Sequence, residues 1–572
     1  MLRIPFIKPA PLNKISGDIF PFFFLVSIFV LSCQSKNKTP SKEVIAAINL
    51  KRGELKLCGV PDRQFGMVEF TTSCSEKTKI DFDLAIALLH SFEYDEAEKV
   101  FAKIIDEYPD CAMAYWGVAM CNYHQVWPSP PSQEELEKGQ GAVLIAQSII
   151  GKSKRETAYI DAIAQFYKDW NTLNHRTRSV LFEKAMENIY KTFPEDKEAA
   201  VFYALSLVGA ADPADKSYGN QRKAGSILTA LYPGEANHPG IVHYIIHTYD
   251  YPELAELALP AARKYAAIAP ASAHAQHMPS HIYTRLGLWA ECIESNRVST
   301  TVAKCYAAKA GFDGHWDEEL HGMDYLVYAY LQRGENDLAR EQYEYLKTIH
   351  RVYPVNFKDA YAFAAIPSRY FLENKMWNEA ASLQLHPQHF PWDKFPWQKA
   401  IFHFTRLLGN VHTDRIEAAR TELKNLHALY DTLQSKDPYK ANQVLIQMKA
   451  GEAWILLKEG KTKEAELLMS EAAEMEDKTD KSPVTPGEVL PARELLADMY
   501  FELKRPADAL PAYEADLKNH PNRFNGLYGA ALASEKIQNA EKAKYYYSQL
   551  LYIADSTGAK RHELETARLF LK

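Results

Sequence analysis

Basic clusters are missing from this chain, and with them the usual grip on nucleic acid. Its 66 lysines and arginines are outnumbered by 73 acidic residues, leaving a net charge of -7. No stretch gathers enough positive charge to displace the counterions of a phosphate backbone, so no nucleic-acid partner is expected. Three catalytic plans are absent as well: there is no His-Glu-x-x-His run, no Gly-x-Ser-x-Gly elbow and no Gly-x4-Gly-Lys-Ser/Thr loop. Strand-like alternation is scarce, which argues against a sheet-built fold. What is present suffices for a large core, with 47% hydrophobic and 24% charged residues over 572 positions. That length is too great for one compact core, so several domains or a long repeat array is expected.

The apolar run Ile19–Leu31 follows Arg3, Lys8 and Lys14 and is too short to span a bilayer comfortably, the shape of a secretory signal. Val30-Leu31-Ser32-Cys33 resembles the bacterial lipoprotein box. The resemblance implies cleavage after residue 32 and lipidation of Cys33. It also implies a place in the cell envelope, with the periplasmic face of the outer membrane favoured because Gln34 does not resemble the aspartate retention signal. Residues 33–79 are then a tether and N-terminal segment. Six cysteines remain, in a compartment where disulfides persist. Cys58 and Cys74 bracket a short segment containing glycine and proline and are the predicted disulfide. Cys111 and Cys121, about 15 Å apart along one predicted helix, are expected as buried thiols.

From Asp83 onward, apolar residues recur at three- and four-residue steps between short glycine or proline breaks. Ala97, Phe101, Ile104 and Pro109 are matched in spacing by Ala509, Tyr513 and Pro521, and Ala543, Tyr547 and Leu550 follow 34 residues later. Further units centre on Gly287 and Trp289, on Ala339 and Tyr343, on Trp377 and Ala380, and on Ala465 and Met469. The pattern resembles the tetratricopeptide repeat, and Leu88-Leu89-His90-Ser91-Phe92 with His277-Met278-Pro279-Ser280-His281 resembles one bacterial branch of those proteins. The resemblance implies an all-α solenoid of stacked helix pairs and nothing about activity. Residues 80–385 are read as the main array, 386–440 as a degenerate helical joint, and 441–572 as ordinary solubilising repeats.

Histidine is unevenly spread: of 19, eight fall between His238 and His321. His243 to His277 and His247 to His281 are both 34 residues, so the pairs occupy equivalent places in successive repeats. After a 13-residue insertion, His274, His277 and His281 map onto His321, Asp324 and Tyr328. The steps of three and four put each set on one helix face. Stacked helices lie about 8–10 Å apart, so His243, His247, His274, His277, His281 and His321 with Asp324 form a predicted metal-ligating stripe for zinc, copper, iron or nickel. Pro279 either kinks a continuous helix or opens a shorter one.

A second reading makes the same groove a ligand site in which Tyr244, Tyr283, Tyr325, Tyr328 and Arg369 hydrogen-bond an envelope protein partner or a small ligand. A third leaves the histidines as buried ties between helices. Were a metal bound, hydrolysis with Asp250, Asp324, Glu318 or Glu319 as general base would be the enzymatic alternative, and a passive assembly scaffold the remaining one.

Overall fold

The computed structural model describes residues 39–58, 64–124, 126, 130–554 and 558–572. The expected signal segment and the lipidation residue Cys33 lie outside the described residues. Most of the rest is helical, and the one sheet among the described residues pairs two-residue strands, His315–Trp316 with Val352–Tyr353.

One turn, repeated, builds the array. Helix Lys79–His90 passes to helix Tyr94–Glu107 through Phe92, whose φ of 58° is left-handed. The next amide, Glu93 N–H, reaches back to the Leu88 carbonyl at 3.0 Å, a bond that satisfies the end of the first helix. The same pair of features recurs at Gly287, Gly334, Lys375, Asp414, Gly460, Lys504 and Gln538, each two residues before the next helix. Five residues beyond each stands a small side chain: Ala97, Cys292, Ala339, Ala380, Ala419, Ala465, Ala509 and Ala543, all at 0% exposure. A small residue there lets the two helices of a pair close together. The aromatic four residues later, as at Phe101 and Tyr513, then lies on the following helix. A Cβ at Gly117 would sit 2.3 Å from the Phe101 ring, and one at Gly529 would sit 2.3 Å from Tyr513. The fold is therefore an α-solenoid of tetratricopeptide type, in which each pair covers its apolar face with its neighbours.

The solenoid closes on its own middle. Trp289 Nε1–H donates to the Asn522 carbonyl at 2.8 Å, and Phe524 N–H donates to Gln332 at 2.9 Å. The wholly buried Arg523 joins Glu373 at 2.7 Å to Glu494 at 3.0 Å. The segment before helix Ala492–Glu502 enters the groove, where its Gly487 carbonyl accepts from Tyr361 at 3.0 Å. Of residues 441–572, expected to be ordinary solubilising repeats, Lys481 to Gly487 and Asn522 to Asn525 pack against the middle helices. Nor does the apolar core part at the predicted joint near residue 386. It divides at helix Asp317–Gln332, which is buried along its length, with Tyr325 and Tyr328 in one core and Leu320 and Leu326 in the next.

Two cysteine expectations fail. Cys58 pairs with Cys305, and Cys74 pairs with Cys111, so the predicted Cys58–Cys74 bond is absent and Cys111 is not a free thiol. The reason is that the segment ahead of the first repeat packs along the array instead of looping on itself. Lys51 and Lys56 amides donate to Glu98 and Glu96 at 2.7 and 3.0 Å, and these bonds carry Cys58 to helix Trp289–Ala310. Cys121 is a buried thiol, as expected.

Peptide mapping without reduction should recover the Cys58–Cys305 and Cys74–Cys111 links. Cys305→Ser, which opens a closure spanning 247 residues, should lower unfolding stability by about 2–5 kcal/mol in a denaturant titration.

Candidate metal centre

Four helices supply the histidines. Helix Pro239–Tyr249 starts with proline at its first position and is capped by the His238 ring, and it carries His243 and His247 one turn apart. Helix Ala273–His277 is capped by Ser272 and carries His274 and His277. Met278 keeps helical dihedrals, φ -52° and ψ -37°, and its N–H reaches the His274 carbonyl at 2.9 Å, so the turn Ala273–His277 runs on into helix Pro279–Leu286, with His281 on its first turn and Pro279 at the junction. Helix Asp317–Gln332 brings His321. Ser299 on helix Trp289–Ala310 donates to the Ala273 carbonyl at 2.8 Å, fastening the short helix in place.

The six rings do not form one stripe; they form two triads, His243 with His247 and His274, and His277 with His281 and His321. Within each, the ligating atoms lie within 4.8 Å of one another. Each triad combines the one-turn pair of one repeat with the equivalent single histidine of the next. The motif therefore occurs twice, one repeat apart. Where Asp324 and Tyr328 replace a histidine pair, the pattern ends. Asp324 is committed to an ion pair with Arg369 and does not join a triad, and burial pushes its carboxyl up to about 6 despite that arginine.

Hydrogen-bond partners decide where the ring hydrogens are. His243 Nδ1 lies 2.6 Å from the His90 carbonyl, which only accepts, so Nδ1 carries the hydrogen and Nε2 a lone pair. His277 Nδ1 lies 2.6 Å from Asn296 Oδ1, and the Asn296 amide is oriented by donating to the Cys292 carbonyl at 2.8 Å. His281 Nδ1 lies 3.0 Å from Asp250, whose carboxylate is held well below its ordinary range by Lys481 and Arg285 against the cost of burial. The free nitrogens then meet. His277 Nε2 and His281 Nε2 are 3.0 Å apart with a lone pair on each and no hydrogen between them. On the other side, His243 Nε2 is 3.1 Å from His274 Nε2.

Two nitrogens bound to one first-row ion at about 2.0–2.1 Å stand about 2.9 Å apart at a right angle and about 3.3 Å apart at the tetrahedral angle. Both observed separations fall in that interval. Burial also holds His243, His277 and His321 well under the ordinary imidazole pKa, and His281 below it, which favours the neutral ring that coordinates a metal. Partners on Nδ1 that fix ring and tautomer are what a metal-ligating histidine requires.

A third cluster, His90–Glu198–His238, has a different character. Each Glu198 oxygen takes one ring hydrogen, at 2.9 and 2.8 Å. The remaining nitrogens accept from the Tyr244 hydroxyl at 2.8 Å and from the Ile241 amide at 3.3 Å. All four ring nitrogens are satisfied, so this cluster ties helices together. It also aims the His90 carbonyl at His243. Gly240 makes room for it, since a Cβ there would sit 2.6 Å from His90 Nδ1.

No family model matches the chain, and no curated protein matches it. Among solved structures it is similar to the human IFIT1 dimer with m7Gppp-AAAA, at 10% identity and a TM-score of 0.35 over 82% of this chain and 94% of that one. It is also similar to Naa15/Naa10 bound to HypK-THB, at 13% identity and a TM-score of 0.23 over 86% and 78% of the two chains. A third is the TPR domain of P58(IPK), at 13% identity and a TM-score of 0.19 over 66% and 98%. Likenesses this loose carry no ligand, partner or activity to this chain.

The other residues expected at a ligand groove are mostly occupied. Tyr244 is spent on His90, and Tyr283 lies buried in the first core. Tyr328 accepts from Arg523 at 3.3 Å, and Arg369 holds Asp324 and the Gly487 carbonyl. Of these, Tyr325 is the one whose hydroxyl stands against a triad nitrogen, His281 Nε2 at 3.3 Å. Of the proposed bases, Asp250 buttresses His281, and Glu319 holds His315 and Tyr345, both at 2.9 Å. Glu318 is shared between Lys358 and His274, with 3.9 Å to the latter. Sequence reasoning missed Asn296, Lys481 and the His90 carbonyl. A backbone oxygen leaves no mark in a sequence, and Lys481 is brought in from a distant repeat.

The buried neutral rings predict a pH dependence. His90, His243, His247, His277, His281 and His321 sit below the ordinary value of 6.5 in the folded state. The unfolded chain therefore takes up protons below about pH 6.5 that the folded metal-free protein refuses. Stability is greatest above that point and is lost as pH falls, by up to about 1.4 kcal/mol per group per pH unit. Urea midpoints measured with chelator present should drop between pH 7.5 and 5.5; an unchanged or rising midpoint contradicts the assignment of neutral rings.

Proposed function

We propose that this protein is an exported helical-repeat protein, held on a membrane of the cell envelope through lipidated Cys33, that binds two transition-metal ions in its groove, one at each histidine triad. The observation carrying this is the approach of His277 Nε2 to His281 Nε2 at 3.0 Å with both Nδ1 atoms committed elsewhere. Two lone pairs at that distance repel, and a cation between them turns the repulsion into two bonds. The disulfides support an oxidising compartment, and so export. Lipidation of Cys33 rests on the lipoprotein-box resemblance. Binding is favoured over metal-dependent hydrolysis because Asp250, Asp324 and Glu319 are each engaged with protein partners. Binding in the closed-over groove also suits an ion better than a peptide segment.

Elemental analysis of untagged protein, stripped with chelator and reloaded with zinc or copper, should find about two ions per chain. His247→Ala should retain one, His321→Ala should retain one, and the double variant none, with helical circular dichroism unchanged. Absence of bound metal in the reloaded parent overturns the reading.

A further inference from the structure

The two triads are not alike in what surrounds them. Around the first, Phe92 stacks on His247 and His274 at centroid distances of 5.4 and 5.6 Å and meets the edge of His243 at 4.4 Å. The Tyr265 and Tyr244 rings also lie against His243, at 4.9 and 5.4 Å, with the Tyr244 hydroxyl turned to His90. Against the second stands Tyr325, on the same helix as His321 and one turn further on. Its ring lies edge-on to His277 at 4.6 Å and 5.2 Å from His281, with 0% exposure. Its hydroxyl lies 3.3 Å from His281 Nε2 and 3.2 Å from the Val484 carbonyl. Both atoms are acceptors, since the His281 hydrogen is held on Nδ1 by Asp250. One hydroxyl hydrogen cannot serve both well, which matches two bonds at the long end of the range for O–H donors.

We infer that Tyr325 is the fourth ligand of the second triad, giving a set of three imidazole nitrogens and one phenolic oxygen that takes copper(II). This rests on the metal reading above and names the ion for one of its two sites. The oxygen stands 3.3 Å from His281 Nε2, close enough for both to bind one first-row ion. The donor set contains no thiolate or thioether, the ligands that select copper(I). The nearest free thiol, Cys292, contacts Thr284 and Asn296 at 3.7 Å and does not join the triad. Among divalent first-row ions copper(II) binds such nitrogen and oxygen sets most tightly, and the disulfides favour an oxidising environment in which it persists. On binding, the phenolic O–H bond breaks, the oxygen–copper bond forms, and the proton leaves to solvent. No electron changes hands.

Loading the stripped full chain with copper(II), and in parallel with zinc(II), tests this. The copper-loaded parent should show a visible phenolate-to-copper charge-transfer band that the zinc-loaded parent lacks. Tyr325→Phe should keep its bound copper and lose the band. His247→Ala, which alters only the first triad, should keep the band, and His321→Ala should lose it, so the result does not hang on one variant folding. A band that survives in Tyr325→Phe, or copper bound in the parent without one, overturns this inference and leaves the metal reading standing. So does a parent that takes zinc and refuses copper. A parent that binds neither ion overturns both.

Discussion

A helix pair in this protein has no core of its own, and that constraint shapes everything else. Its apolar face is covered only by the next pair, so the chain must repeat one turn and one spacing closely enough for the pairs to stack. The left-handed turn residue and the small residue five positions on, found together from Phe92 and Ala97 to Gln538 and Ala543, meet that demand. A feature placed once in the repeat is thereby placed again in the next, in the same orientation and about one helix diameter away. Two histidine triads one repeat apart are what such a lattice yields when the same positions carry imidazole twice.

Burying six imidazoles would be a heavy load on stability without partners for their N–H groups. For three of the six the protein supplies partners of very different kinds: a backbone carbonyl for His243, an amide for His277 and a carboxylate for His281. Each is held in turn. The His90 carbonyl is positioned by the Glu198 cluster, Asn296 by the Cys292 carbonyl, and Asp250 by Arg285 and Lys481. With the Nδ1 atoms of His243, His277 and His281 tied outward, their Nε2 lone pairs face the interior. The charge around the second triad is balanced rather than neutral. Lys481 is largely buried beside Asp250, and desolvation pushes its ammonium down to about 8.

The closure by the last repeats adds what a simple open solenoid lacks. Arg523, with no solvent exposure, links Glu373 of the middle to Glu494 of the C-terminal repeats, and breaking such a buried pair typically costs about 3–5 kcal/mol. The same closure lays the backbone of Val484 over Tyr325 and the ammonium of Lys481 against Asp250. The groove becomes an enclosed interior, and the dielectric around the rings falls accordingly.

Periodicity was legible because it is a local property of the chain. The alanines 34 residues apart and the histidine pairs in equal register sit where reading along the sequence places them, on helices of the expected type. Even so, only Gly287, Gly334 and Gly460 mark the repeated turn with glycine; Phe92, Lys375, Asp414, Lys504 and Gln538 adopt it unannounced, because the back-bond to the preceding helix imposes the conformation. The sorting of one expected stripe into two triads, the pairing of Cys58 with Cys305, and the arrival of Lys481 and Val484 belong to tertiary structure. They follow from the twist and rise of the superhelix. Small angles between neighbouring pairs, which no single repeat encodes, add up along the array until residues more than two hundred positions apart share an interior. The sequence by itself determined the repeat and the chemistry available to it; the accumulated curvature decided which of those groups meet.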